Sequence, residues 1–294
     1  MQETKLHTQC LVCESKNIHP MKGYESFQLG KCSDCGFVFM LRIPTIQELK
    51  DYYAVYFYDK EQYLSPLTIS SYNKLLDQFE PYRKTGNLID VGCGQGWFLD
   101  AAKKRGWNVY GTEYSEVAVQ KCSARGINMH QGALNPADFA GIEFDIIVSF
   151  EVFEHINNPN EEFQNMYQLL RKGGLLYFTT PNFNYYLRYQ MKAQFSIIMY
   201  PEHLSYYTPK TINTALTRNN FKKIKTLTTG ISITRLQQSL GKVTKDEIVT
   251  KDASDEKLRQ MLNSNIFMKL LKRTANKLLT LTGLGLSLKG YYTK

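Results

Sequence analysis

"NLIDVGCGQGWFLDAAKKRGWNVYGTEYS", residues 87–115, decides the fold. Leu88-Ile89-Asp90-Val91 is a short apolar strand, and Gly92-Cys93-Gly94-Gln95-Gly96 is a tight glycine turn. Trp97 to Arg105 has the periodicity of an amphipathic helix. Asn108 to Gly111 then opens a second strand that ends at Glu113. Strand, turn, helix and strand make the first βαβ unit of a doubly wound α/β sheet, which takes its ligand at the C-terminal ends of the strands.

Glycine turns of this kind also serve dinucleotides, so the glycines alone do not choose the ligand. Two details do. In the spacing G-x-G-x-x-G counted from Gly92, Trp97 replaces the last glycine. Asp90 stands at the mouth of the turn, where a carboxylate repels a pyrophosphate and attracts the ammonium of a methionine moiety. Glu113 is placed to take both hydroxyls of a ribose. The pattern resembles motif I of the class I S-adenosylmethionine-dependent methyltransferases, and the resemblance runs over about residues 85 to 225. It implies a Rossmann-like sheet of seven strands, the last antiparallel. It also implies contacts to S-adenosylmethionine from Asp90, Gly92, Gly94, Gly96, Glu113, Tyr114, Leu134 and Phe150.

Later segments fit the same order. Ser115 opens a helix, and "GINMHQGAL" supplies the third strand and a loop over the adenine. "FDIIVSFEVFEHI", "LLRKGGLLYFTTPN" and "NNFKKIKTLTTG" supply strands four to six. The seventh is expected in "LSLKGYYTK", antiparallel between strands five and six. Residues 87–230 and 285–294 are then the cofactor-binding core, and 231–284 an insertion made of a polar loop, "KDEIVTKDASDEK", and a helix.

Residues 1–43 carry Cys10 and Cys13 in one C-x2-C pair and Cys32 and Cys35 in another, 18 residues apart. That spacing points to a small ribbon around a structural Zn2+, since four thiolates close the coordination shell. A redox disulfide or unrelated thiols are the alternatives. Cys93 and Cys122 read as isolated buried thiols. Residues 44–86 connect the ribbon to the core through a helix start at Pro44-Thr45 and a tyrosine-rich run.

The formal charge of +9 raises nucleic acid, anionic lipid and phosphorylated compounds as partners. No block of consecutive like charges indicates a nucleic-acid tail. The polar start has no signal-peptide character and no apolar run reaches about 18 residues, so the chain reads as cytoplasmic. Residues 266–281 form an amphipathic helix, with Phe267, Leu270, Leu271, Leu278 and Leu281 near one face and Lys269, Arg273 and Lys277 on the other. Packing on the protein's own core is its default; peripheral contact with the inner face of an anionic membrane, where a lipid-linked substrate waits, is the alternative.

Of five histidines, His7, His19 and His130 read as structural, which leaves His155 and His203. "EVFEH" follows strand four; as a helix it would align Glu151, Glu154 and His155 on one face. It is similar to the segment with which polyprenyl-quinone O-methyltransferases hold a divalent ion such as Mg2+, and helix capping is its other reading. "YPEHLSYYTP", residues 200–209, follows strand five, where the lid over the acceptor belongs. Tyr200, Glu202 and His203 resemble a Tyr-x-Glu-His group of the nucleotide-sugar C-methyltransferases, which also carry a four-cysteine zinc module. That resemblance implies a proton-abstracting His-Glu pair, although Pro201 stands where those enzymes often have a histidine. A structural hydrogen-bond hub is the competing role for His203.

The leading expectation is therefore a methyltransferase for a small molecule, a sugar or a glycan or cell-envelope precursor, nucleotide-linked or lipid-linked, at carbon or oxygen. A nucleic-acid methyltransferase is the second reading. Against it, Ser149-Phe150-Glu151-Val152 stands where amino-group methylases of bases carry Asn/Asp-Pro-Pro-aromatic, and acidic residues line the acceptor side. A non-catalytic binding protein is the third; the intact Asp90, glycines and Glu113 argue against it.

Overall fold

The computed structural model describes residues 5–54, 64–242 and 254–294. In chain order the strands are β1 Ile18–Pro20, β2 Leu29–Cys32, β3 Val38–Met40, β4 Asn87–Val91, β5 Asn108–Glu113, β6 Asn128–Gln131, β7 Phe144–Phe150, β8 Leu170–Pro181, β9 Ser205–Tyr206, β10 Lys222–Thr229 and β11 Ser287–Thr293. The helices are α1 Ile46–Ala54, α2 Pro66–Phe79, α3 Trp97–Lys104, α4 Glu116–Ala124, α5 Pro159–Leu169, α6 Tyr186–Met191, α7 Pro209–Arg218, α8 Ile233–Ser239, α9 Ser254–Met261 and α10 Ile266–Thr282.

Seven strands form one sheet in the order β10-β11-β8-β7-β4-β5-β6. Pairing is parallel from β8 to β6, and β11 runs antiparallel between β8 and β10, as the sequence predicts. The central strands are apolar because helices cover both faces: Leu88, Ile89, Ile146, Ile147 and Val148 are all buried. Gly290 of β11 is required where it crosses β8, because a Cβ there would lie 2.1 Å from the Phe178 ring. At the other end of β8, Arg171 pairs with buried Asp145, whose second oxygen accepts the Lys84 and Gly86 amides at 2.8 and 2.7 Å. This cluster fixes the entry to β4.

A second sheet has the order β1-β2-β3-β9. Its first three strands belong to the cysteine module, but β9 lies inside "YPEHLSYYTP": Ser205 and Tyr206 pair with Phe39 and Val38. The module shares a core with the main domain, since Phe37 and Phe39 pack with Phe153, Phe178 and Tyr207.

Three expectations change. "EVFEH" is not an α-helix: only Phe153–His155 form a single 3-10 turn, and Glu151 takes a left-handed backbone at φ 55°. The polar segment 245–257 is divided; 245–253 lies outside the described residues, and the remainder enters α9. Helix α10 forms, but none of its residues is buried, and six of its large apolar side chains, Ile266, Phe267, Leu270, Leu271, Leu278 and Leu281, are exposed. The reason is the edge strand β10, whose unpaired backbone groups need polar partners. Asn276 Oδ1 accepts the Gly230 N–H at 2.9 Å, and Thr280 Oγ1 donates to the Thr228 carbonyl at 3.0 Å. Among the described residues, no helix is long and apolar enough to cross a membrane.

Candidate functional site

The glycine turn between β4 and α3 lies at the C-terminal edge of the sheet. Gly92, Gly94 and Gly96 all take positive φ, which a side chain would resist. A Cβ on Gly92 would also lie 2.6 Å from Val152, so the turn touches the segment that leaves β7. Asp90 is 2% exposed, and its Oδ1 has no hydrogen-bond partner. Burial pushes its carboxyl well above the usual range, with the charges of Glu113 and Cys122 adding to the effect. A buried carboxylate oxygen without a donor fits a ligand that brings a cation, as the methionine end of S-adenosylmethionine does.

Glu113 is engaged on both oxygens. Gly94 N–H donates to Oε2 at 2.9 Å, and Tyr114 and Ser115 N–H donate to Oε1 at 2.8 and 3.1 Å. Its carboxylate thus braces the glycine turn and the start of α4. Tyr114 is 73% exposed, and the Leu134 side chain is packed in the core. Phe150 is half-buried among Tyr72, Phe98 and Tyr177. Tyr72 of α2, outside any motif, packs its ring against Phe98 and Phe150. Its hydroxyl is pushed up to about 12 by burial and the nearby Asp90. Cys93 and Cys122 are not isolated: both sulfurs contact the Gly94 carbonyl from beneath the turn, at 3.8 and 3.6 Å.

From Val152 the chain continues into a second cluster of titratable side chains. Glu154, His155 and His203 bring one donor atom each within 4.8 Å of one another. His155 Nδ1 donates to the Glu202 carbonyl and His203 Nδ1 to the Ile197 carbonyl, both at 2.7 Å. A carbonyl only accepts, so Nδ1 carries the proton in each ring and Nε2 is the unprotonated nitrogen in the neutral form; His155 Nε2 lies 3.9 Å from Glu154 Oε1. The rings meet edge to face, 5.1 Å apart. Burial, reinforced by His155, holds His203 down at about 3 and thus uncharged. Burial and Glu151 push the Glu154 carboxyl well above the usual range, although Thr180 Oγ1 donates to it at 2.8 Å.

The divalent-ion reading changes with this geometry. Glu151 lies outside the group, exposed, and His203 takes its place. Two imidazoles and a single carboxyl do not fit Mg2+, which prefers a shell of oxygens. The four cysteines do fit zinc. Cys10–Cys35 and Cys13–Cys32 sulfurs are each 3.5 Å apart, near the edge of about 3.8 Å expected for tetrahedral bonds of about 2.3 Å.

The segment 200–206 is clamped by residues of the cysteine module and α1 that carry no motif of their own. Tyr52 of α1 donates to Glu202 Oε2, and Tyr200 reaches Glu48 while Arg42 lies 4.8 Å over its ring. On the other side Leu204 N–H donates to the Glu154 carbonyl at 2.7 Å. These contacts span about 150 residues of chain, so only the folded structure brings them together.

A methyltransferase-domain family model matches residues 63–226. The ubiquinone biosynthesis O-methyltransferase of Coxiella burnetii is 32% identical over 133 residues, covering 43% of this chain and 54% of that protein. The same enzyme of Aromatoleum aromaticum is 30% identical over 124 residues, covering 39% and 53%. The chain thus spans about half the length of these curated relatives. A SAM-dependent methyltransferase structure from Archaeoglobus fulgidus superposes with a TM-score of 0.50 at 18% identity, over 77% of this chain and 94% of the other, a likeness of fold.

Proposed function

The chain belongs to the methyltransferase-domain family, and on that premise we propose that it transfers a methyl group from S-adenosylmethionine to a small molecule, at carbon or oxygen. The acceptor is a sugar or a glycan or cell-envelope precursor. The observation that carries the reading is the unpartnered, buried Asp90 oxygen at the turn, which Val152 connects directly to the Glu154–His155–His203 group. When bound, S-adenosylmethionine supplies a methyl group on a positive sulfur. Asp90 and Glu113 then hold its two polar ends, and Phe150 and Tyr72 exclude water between them.

In this reading His155, with 24% of its side chain exposed, receives the acceptor's proton at Nε2. His203 is too weak a base for that task at neutral pH. It orients the acceptor and fixes the loop, with Glu202 and Tyr200 as its frame. A second reading, O-methylation of a ubiquinone-type precursor, is favoured by the named activity of the Coxiella burnetii relative.

Both readings meet one experiment: a transfer assay with labelled cofactor against nucleotide sugars, glycan extracts and quinone precursors. Product from the sugar pool is expected; turnover of quinone precursors alone would move the assignment to the second reading. With the acceptor in hand, His155→Gln should lower kcat by about a hundredfold or more. A larger loss in His203→Gln than in His155→Gln would reverse the two roles.

A further inference from the structure

Helix α10 is mounted with its apolar side outward. Its half-buried residues, Met268, Lys272, Asn276, Leu279 and Thr280, form the stripe against β10. Opposite them Ile266, Phe267, Leu270, Leu271, Leu278 and Leu281 are 87, 69, 61, 50, 58 and 75% exposed. At about 100° per residue these six fall within one arc of about 140°, which also holds Thr274 and, near its edge, Lys277. Lys269, Arg273 and Lys277 are exposed and follow one another along one edge of that arc. From Ile266 to the end the chain has six Lys or Arg and no acid.

Something must cover this face, because a contiguous apolar stripe in water marks an interaction site. We propose that α10 docks the protein on an anionic lipid surface, its apolar arc in the acyl boundary and its basic edge on the headgroups. The combination of a bulky apolar face with a flanking row of cations is what an interfacial helix needs. A second copy of the chain fits less well. The stripe is about 24 Å long and about 10 Å wide, far short of the roughly 800 Å² per partner of a stable dimer.

The helix is also tied to the site. At its C-terminal end Asn182 Nδ2 donates to the Gly283 and Gly285 carbonyls, at 2.9 and 2.6 Å. Asn182 directly follows β8 and opens the segment that leads to His203. The C-terminal end of α10 thus lies at the same edge of the sheet as the candidate site. The inference does not depend on which acceptor is methylated.

The test is flotation of the whole protein with vesicles of phosphatidylcholine alone and with added phosphatidylglycerol. The protein should float with the phosphatidylglycerol vesicles and at least about tenfold less with phosphatidylcholine. Leu270→Glu/Leu278→Glu and, separately, Lys269→Glu/Arg273→Glu/Lys277→Glu should each abolish flotation. Both change only exposed residues, so circular dichroism and the melting temperature should stay at wild-type values. Failure of the wild type to float with phosphatidylglycerol, or flotation retained by the leucine variant, overturns the proposal. So does a lipid-free dimer that the leucine variant dissociates, which would assign the face to a second copy.

Discussion

Asp90 burdens the ligand-free protein. Its carboxyl is almost fully buried, one oxygen has no donor, and its folded-state pKa is raised by burial. The ordinary value is about 3.9. The folded state therefore holds the proton more tightly, and this contribution to stability is present at low pH and is lost as pH rises from the ordinary value towards the raised one. In the proposed complex the cofactor's ammonium would offset that loss at neutral pH. Asp90→Asn should thus stabilise the ligand-free protein at neutral pH by on the order of 1–2 kcal/mol. Its stability should vary less with pH above about 4, and its affinity for S-adenosylmethionine should fall by at least about thirtyfold. Urea titrations across pH and calorimetry check both; a variant with lower stability and unchanged affinity would refute the role. The position of Asp90 could be read from the sequence, because a strand followed by a glycine turn fixes where it lies. The bracing role of Glu113 could not, since amides at residues 94, 114 and 115 converge on it only in the fold.

Elements differ in how far their sequence betrays them. The seven strands of the large sheet announce themselves by apolar runs between turns, and even the antiparallel β11 was placed correctly. Strand β9 has two residues, and nothing local tells Ser205 and Tyr206 to pair with a strand more than 160 positions earlier. The periodicity of α10 revealed an amphipathic helix but not which face meets the protein, because the edge strand β10 called for polar partners. Helix α1 carries a similar hidden role, since Tyr52 donates to a Glu202 that is 3% exposed. Removing a hydrogen bond to a buried carboxylate costs about 1.5–3 kcal/mol. Tyr52→Phe should therefore loosen the acceptor loop and raise KM for the acceptor by about tenfold or more, with cofactor affinity unchanged in calorimetry. An unaltered acceptor KM would show that α1 does not hold the loop.

At the scale of the molecule, the cysteine module is part of the acceptor side rather than an appendage. It contributes β3 to the strand pair with β9, Arg42 to Tyr200, and Phe37 and Phe39 to a core shared with Phe153 and Tyr207. The turn between β4 and α3 is packed chiefly from the other side, by α2 and α3 through Leu76, Phe79, Phe98 and Leu99. Zinc in such a site stabilises its fold directly, because the thiolates converge only in the folded state. Removing it should release close to one metal ion per chain and lower the melting temperature. Since β9 carries the loop from His203 to Tyr207, transfer to the acceptor should fall at least about tenfold, while affinity for S-adenosylmethionine changes less than about threefold. The measurements are metal analysis after chelation, calorimetry with the cofactor, and the transfer assay on the same sample. If cofactor affinity collapsed together with turnover, the module would be holding the whole sheet; if neither changed, the β3–β9 pairing would have no bearing on the reaction. A selective loss of transfer separates the two halves of the site along the boundary that the strand order draws.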